Sequence, residues 1–171
     1  MTMSLQFFHT HIFPVKDKIY RFALRLLGNS ADAEDVVQEV LVKTWTQRSE
    51  WPNIRNVEAW CMTLTRNMSI DRKRLQRHYQ PEEAANGMPD QHVQSPYQAT
   101  VTGEFVAHIQ KALSQLPEKQ RLVMHLRDIE GQSYQEIAEI LDMPLNQVKI
   151  NLFRARQHIR ETLLKTERYG L

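Results

Sequence analysis

Residues 146–160 read NQVKINLFRARQHIR, and four of these side chains, Lys149, Arg154, Arg156 and Arg160, are basic while none is acidic. Guanidinium and ammonium groups so placed can pair with nucleic-acid phosphates. Arg and Lys can also reach guanine edges, and Asn can pair with adenine. Ile150 and Phe153 sit among them. At about 100° per residue, Val148, Leu152, Ala155, Ile159 and Leu163 gather on one third or so of a helical wheel and form a core face. Lys149, Ile150, Phe153 and Arg154 fall largely off that face. Exposed apolar side chains between arginines suit contact with thymine methyl groups. A solvated basic face is the plainer alternative for the charges alone.

The segment before it supports the first alternative. Ser133 followed three residues later by Glu136 is a capping box, which starts a short helix through Leu141. Asp142-Met143-Pro144 makes a turn, and the basic segment follows. Two helices joined this tightly, the second basic, match a helix-turn-helix, whose second helix enters the major groove.

A second basic cluster, RNMSIDRKRLQRH at residues 66–78, carries Arg66, Arg72, Lys73, Arg74 and Arg77 against one acid, Asp71. On a wheel, Trp60, Leu64, Met68 and Leu75 share a face, and the arginines lie around the rest, suited to phosphates. Asp71 pairing with a basic neighbour and Asn67 bonding to backbone are the structural alternatives. The loop before this helix carries Trp51 and Arg55. An aromatic ring there could stack on an unpaired base, although a packing role for Trp51 is the commoner one. A further helix, SADAEDVVQEVLVKTWTQ, turns Val36, Val37, Val40, Leu41 and Thr44 to one side and Asp35, Gln38, Glu39 and Val42 to the other. Pattern alone reads that acidic side as a solvated face.

The elements that position these clusters are helical. The 171 residues allow one domain or two small ones. Glycine is scarce, Leu, Ala, Glu, Gln, Arg and Lys dominate, and no useful strand alternation occurs. A first helical stretch, one helix or two, is expected from about Leu5 to Leu27, with Gly28 as a stop and Ser30 as the cap of the next. Pro52 breaks the loop after that one, and the helix containing Asn67 runs from near Val57 to about His78. Residues 79–101 hold Pro81, Gly87, Pro89 and Pro96, with Glu82, Glu83 and Asp90 as the only charges. This composition predicts a linker, able to span at most roughly 75 Å. Beyond it, Phe105, Ile109, Ala112, Leu113 and Leu116 stripe a helix, Pro117 fits the first turn of the next, and Gly131 ends it. The fold class is all-α: two small helical domains joined by a flexible linker, the second a helix-turn-helix.

Composition narrows the function. The net charge of +2 hides local clusters. A single cysteine, Cys61, excludes an internal disulfide framework and a cysteine-rich zinc module. No apolar run approaches a membrane span, and the N-terminus lacks a signal-peptide pattern, so a cytoplasmic protein without membrane insertion is expected. No Gly-rich phosphate loop, metal-spaced His/Cys set or nucleophile–base pair is recognisable. Neither an enzyme nor a metal or other cofactor is expected.

Three stretches together, NSADAEDVVQEVLVKTW, NVEAWCMTLTRNMSIDRKR and the run from Leu113 to Leu163, resemble the extracytoplasmic-function (ECF) family of bacterial sigma factors, in order and over nearly the whole chain. The resemblance implies a sigma-2 domain at 1–78, a linker at 79–101 and a sigma-4 domain at 102–171. It implies that Asp35, Gln38 and Glu39 dock on the clamp helices of core RNA polymerase. Trp51, Arg55, Asn67, Arg72, Lys73 and Arg74 would recognise and open the minus-10 element of promoter DNA. Ser133, Tyr134, Asn146, Lys149, Ile150, Asn151, Phe153 and Arg154 would bind the minus-35 element. An anti-sigma factor is an implied partner. The chain departs from the usual family pattern at Leu145, Asn146, Ile150 and Asn151, which bears on the minus-35 sequence it would prefer. The rival reading is a free-standing helix-turn-helix regulator, which accounts for the C-terminal half but not for the acidic face or the second basic helix.

Overall fold

The structure is a computed structural model that describes residues 3–79 and 101–168, with side chains in the second stretch described from Val106 to Lys165. The described residues form helices and loops in two compact units, one holding residues 3–79 with 139–142 and the other the rest of 101–168.

The first unit opens with a broken helical stretch. Helix α1 (Met3–Phe7) passes into a π-helical turn (Phe8–Ile12) and a 3₁₀ turn (Phe13–Val15), after which α2 runs from Lys16 to Leu27. The predicted stretch is therefore interrupted, and Pro14 sits where the winding tightens, since proline cannot donate to a continuing α-ladder. Helix α2 buries Ile19, Phe22, Ala23, Leu26 and Leu27, the one-sided spacing of an amphipathic helix. It ends at Gly28, whose φ of 69° is left-handed and whose N–H bonds to Leu24 O. Helix α3 (Ser30–Thr46) is capped by Asn29 rather than the expected Ser30. Asn29 takes the extended conformation, and its Oδ1 accepts from Asp32 N at 3.1 Å. Both residue types can cap, so the one that breaks from helical geometry takes the role.

Helix α3 buries the predicted Val36, Val37, Val40 and Thr44, with Ala33 added and Leu41 only half-buried. The loop after it is a 3₁₀ helix (Arg48–Asn53), and α4 runs from Val57 to Tyr79. The face expected of α4 is not the one it buries. Leu75 is exposed, Trp60, Leu64 and Met68 are half-buried, and the core positions are Ala59, Cys61, Met62, Thr65 and Ser69. Small residues let α4 lie close against α2 and α3. The Thr65 hydroxyl can be buried there because it donates to Cys61 O at 2.8 Å.

In the second unit α5 (Val101–Ser114) precedes α6 (Glu118–Met124), which continues as a π-helical turn (His125–Ile129). Pro117 stands one place ahead of the helix, at its N-cap. Gly131, at φ 75°, makes the expected stop. Helix α7 (Tyr134–Leu141) is closed by Asp142 in the left-handed region at φ 50°, while Met143 N bonds to Ala138 O at 2.9 Å. This tight ending aims the chain into α8 (Leu145–Arg168). Ala112, Leu116, Val123, Leu126, Ile137, Val148, Leu152 and Ala155 form the core. His125 and Glu130, both buried, meet at 3.2 Å beneath the π-helical turn. The expected stripe residue Phe105 lies outside the described side chains, and so do the linker residues 80–100.

Candidate functional site

Helix α8 presents the arrangement its spacing predicts. Val148, Leu152 and Ala155 are buried, whereas Ile150 is 45% and Phe153 68% exposed, flanked by exposed Lys149 and Arg154. Asn146 is exposed in the first turn, its Oδ1 accepting from Gln147 N at 2.9 Å. The capping box at α7 closes both ways: Ser133 N donates to Glu136 Oε2 at 2.7 Å, and Glu136 N donates to Ser133 Oγ at 3.2 Å. That leaves the Ser133 residue exposed beside Tyr134, whose ring carries the Arg127 guanidinium at 4.9 Å. Tyr134, Lys149, Phe153, Arg156 and Arg160 line one open groove along α8. Asn151 turns back on its own helix. Its amide nitrogen donates to Gln147 O at 2.8 Å and approaches Met143 Sδ at 3.8 Å, so this donor is spent on fixing the turn. Arg156 is also held internally, by both carboxylate oxygens of Asp128.

On the first unit, Arg55 and Asn67 are exposed, with Arg66 Nη1 at 3.4 Å from Asn67 Oδ1. Arg74 is exposed and pairs loosely with Asp71 at 3.8 Å, while Lys73 is half-buried. Trp51 is not positioned to stack on a base. It is 7% exposed, its Nε1 donates to Thr44 O at 3.2 Å, and its ring stacks on Phe7 with centroids 4.7 Å apart. Phe8 and Trp45 complete this aromatic cluster, so Trp51 anchors the loop to the core.

Arg72 is likewise not a surface cation aimed at phosphate. Its Nη1 donates to Asp32 Oδ1 at 3.0 Å and to Asp35 Oδ2 at 2.9 Å, and its Nη2 donates to Glu39 Oε1 at 2.8 Å. The Asp35 hydrogen bond, with Asp32 and Glu39 behind it, raises the guanidinium pKa above its ordinary value against the opposing effect of burial. The sequence signal for this placement is the stripe Met62, Thr65, Ser69, Arg72, Gln76, whose three- and four-residue steps continue the buried face of α4. Asp35, Gln38 and Glu39 are exposed together on α3, and with Val42, Met68 and Arg72 they line a shallow groove.

Helix α8 of the second unit thus exposes basic and apolar side chains together, and the first unit sets the acidic face of α3 beside the basic helix α4. Residues 14–79 match the family description Sigma-70 region 2, and residues 108–159 match Sigma-70, region 4. The chain is 34% identical over 157 residues to the ECF RNA polymerase sigma factor SigW of Bacillus subtilis, covering 86% of this chain and 84% of that one. It is 33% identical to the ECF RNA polymerase sigma factor SigE of Mycolicibacterium smegmatis, covering 87% of this chain and 58% of that one. Among solved structures it is similar to the sigma factor RpoE of Bartonella quintana, crystallised with the anti-sigma factor NepR. That similarity has a TM-score of 0.69 and 26% identity, and covers 89% of this chain and 93% of that one. The chain belongs to the ECF family of RNA polymerase sigma factors.

Proposed function

We propose that this protein binds core RNA polymerase and directs promoter-specific transcription initiation from the cytoplasm, as a specificity factor and not an enzyme. The observation that carries the reading is the exposure of Ile150 and Phe153 between Lys149 and Arg154 on the second helix of a helix-turn-helix. Solvation alone gives no reason to expose a phenylalanine there, whereas contact with base edges does. In this reading residues 102–171 bind the minus-35 element as duplex, through Asn146, Lys149, Ile150, Phe153 and Arg154, with Ser133 and Tyr134 toward the backbone.

Residues 1–78 carry the other two contacts. Asp35, Gln38 and Glu39 meet the polymerase. Arg55, Asn67, Lys73 and Arg74 meet the minus-10 element, where melting proceeds by capture of an extruded base. Two DNA contacts joined on one polymerase act at high effective concentration, so neither needs to bind tightly alone. Residues 79–101 connect the two domains, and Glu82, Glu83 and Asp90 give them the charge to mimic nucleic acid in the polymerase channel. The complex of Bartonella quintana RpoE with NepR supports an anti-sigma factor as a further partner.

Run-off transcription with purified core polymerase on a promoter library tests the whole reading. Transcripts that appear only with this protein and share two spaced elements are expected. Tight binding to a palindrome without polymerase, and no such transcripts, would make it a free-standing regulator instead.

A further inference from the structure

The Arg72 cluster has an inside and an outside. Arg72 and Asp32 side chains are each 22% exposed, whereas Asp35 and Glu39 are 59% and 50% exposed. Asp32 is engaged at both oxygens, by Arg72 at Oδ1 and by Gln76 Nε2 at Oδ2, 2.8 Å away. Its own N–H is capped by Asn29, which fixes it in the first turn of α3. Asp35 and Glu39 each lend one oxygen to the guanidinium and stand at the surface. Asp32, Asp35 and Glu39 follow one another along one side of α3, and Arg72 reaches them from α4.

We propose that Arg72 is a positioning residue for polymerase docking, holding the carboxylates of Asp35 and Glu39 in one fixed arrangement for basic groups of core RNA polymerase. The proposal rests on the reading of Asp35 and Glu39 as polymerase contacts. Three neighbouring carboxylates repel one another and, without a shared cation, spread over many rotamers. A planar guanidinium offers donors in a fixed fork, which an ammonium cannot reproduce. Side chains already ordered in the free protein lose less freedom on binding.

The charge balance gives this role a kinetic signature. Three carboxylates against one guanidinium leave the cluster at −2, and removal of Arg72 makes it −3. Long-range attraction of a basic partner is then no weaker, so association is not slowed. What is lost is the fixed geometry of the docked state, which is read in dissociation.

The test measures association and dissociation of the full chain with purified core RNA polymerase at two salt concentrations. Arg72→Ala is expected to speed dissociation roughly tenfold, the low end of the coupling known for close charge pairs, without slowing association. Arg72→Lys, which keeps the charge and protects folding, is expected to show a smaller increase in the same direction. In an Asp35→Asn/Glu39→Gln background, Arg72→Ala should add little, because nothing is left to position. If it adds its full effect there, together with a matching fall in Tm, the role is merely structural and the proposal fails. Unchanged core kinetics for Arg72→Ala, where Asp35→Asn and Glu39→Gln do weaken binding, would overturn the proposal but leave the polymerase reading standing. Unchanged core binding in those two variants would overturn both. A holoenzyme–promoter salt slope reduced by about one, with core kinetics intact, would return Arg72 to phosphate contact and also overturn it.

Discussion

Arg156 of α8 grips Asp128 at the base of the helix-turn-helix, its Nε donating to Oδ2 at 3.2 Å and its Nη2 to Oδ1. The pair ties the helix that presents the basic face to the π-helical turn after α6, 28 residues earlier in the chain. It is half-exposed, so its worth is modest, about 0.5–1 kcal/mol for a pair of good geometry. Asp128→Asn and Arg156→Ala are therefore each expected to lower stability by about this amount in urea unfolding. DNA binding separates them. If Arg156 serves only to hold α8, both variants should weaken minus-35 binding equally. A larger loss for Arg156→Ala alone would show that the guanidinium also reaches phosphate.

Trp51 shows why an aromatic beside a basic helix is a weak signal. Its ring is enclosed by Phe7, Phe8 and Trp45, and its one polar atom is satisfied by Thr44 O. Trp51→Ala is expected to cost about 3–5 kcal/mol of stability, the usual range for a buried large side chain. Trp51→Phe keeps most of the ring and should retain promoter opening close to wild type. Permanganate footprinting of the open complex checks this. A melting defect in Trp51→Phe with stability retained would put the ring back at the DNA.

The contrast between Trp51 and Ile150 marks what was legible from residue order. Periodicity within one helix separates faces reliably when the apolar residues are large and spaced at three and four, as in α3 and α8. The exposure of Ile150 and Phe153 and the capping box at Ser133 were legible for that reason. In α4 the large residues Trp60, Leu64 and Met68 flank the core, and Ala59, Cys61, Thr65 and Ser69 fill it beside Met62. The stripe from Met62 through Thr65 and Ser69 to Arg72 has helical spacing, but its small and polar residues give it little hydrophobic contrast beside Trp60, Leu64 and Met68. What Arg72 meets is not legible in α4 alone, since its three partners lie at least 33 residues away in sequence.

Cys61 is fully buried on α4, and burial, with the charge of Glu58 added, pushes its thiol pKa up to about 12 from an ordinary value of 9.0. At pH 8 the native thiol is protonated and enclosed. A disulfide reagent should label it only as fast as the first unit opens, and labelling should become rapid in denaturant. The linkage has a definite sign. Between pH 9 and 12 the unfolded chain loses this proton and the folded chain keeps it, so this group lowers stability as pH rises through that window. Below pH 9 both states are protonated and it contributes no slope. Comparison with Cys61→Ala isolates the effect: the stability difference should change across that window and stay flat below it. A flat difference throughout would mean that the thiolate is accommodated.

Leu152 and Phe153 are adjacent on α8 and should fail in opposite ways. Leu152 is 2% exposed in the core of the second unit, and its truncation to alanine leaves a cavity expected to cost about 2–5 kcal/mol. Phe153 stands in solvent. Its truncation removes little packing, so stability should stay within about 0.5 kcal/mol of wild type. Minus-35 binding is expected to reverse the order. On the proposed function, Phe153→Ala is expected to weaken binding at one base position. Arg154→Ala, if its guanidinium reaches a base edge, loses about 1–3 kcal/mol of discrimination there, while a phosphate contact would weaken all sequences alike. Equilibrium unfolding and binding to a set of single-base minus-35 variants separate these outcomes. A Phe153→Ala protein that is markedly destabilised, or that binds every variant as wild type does, would remove the reason given for exposing this ring among the arginines.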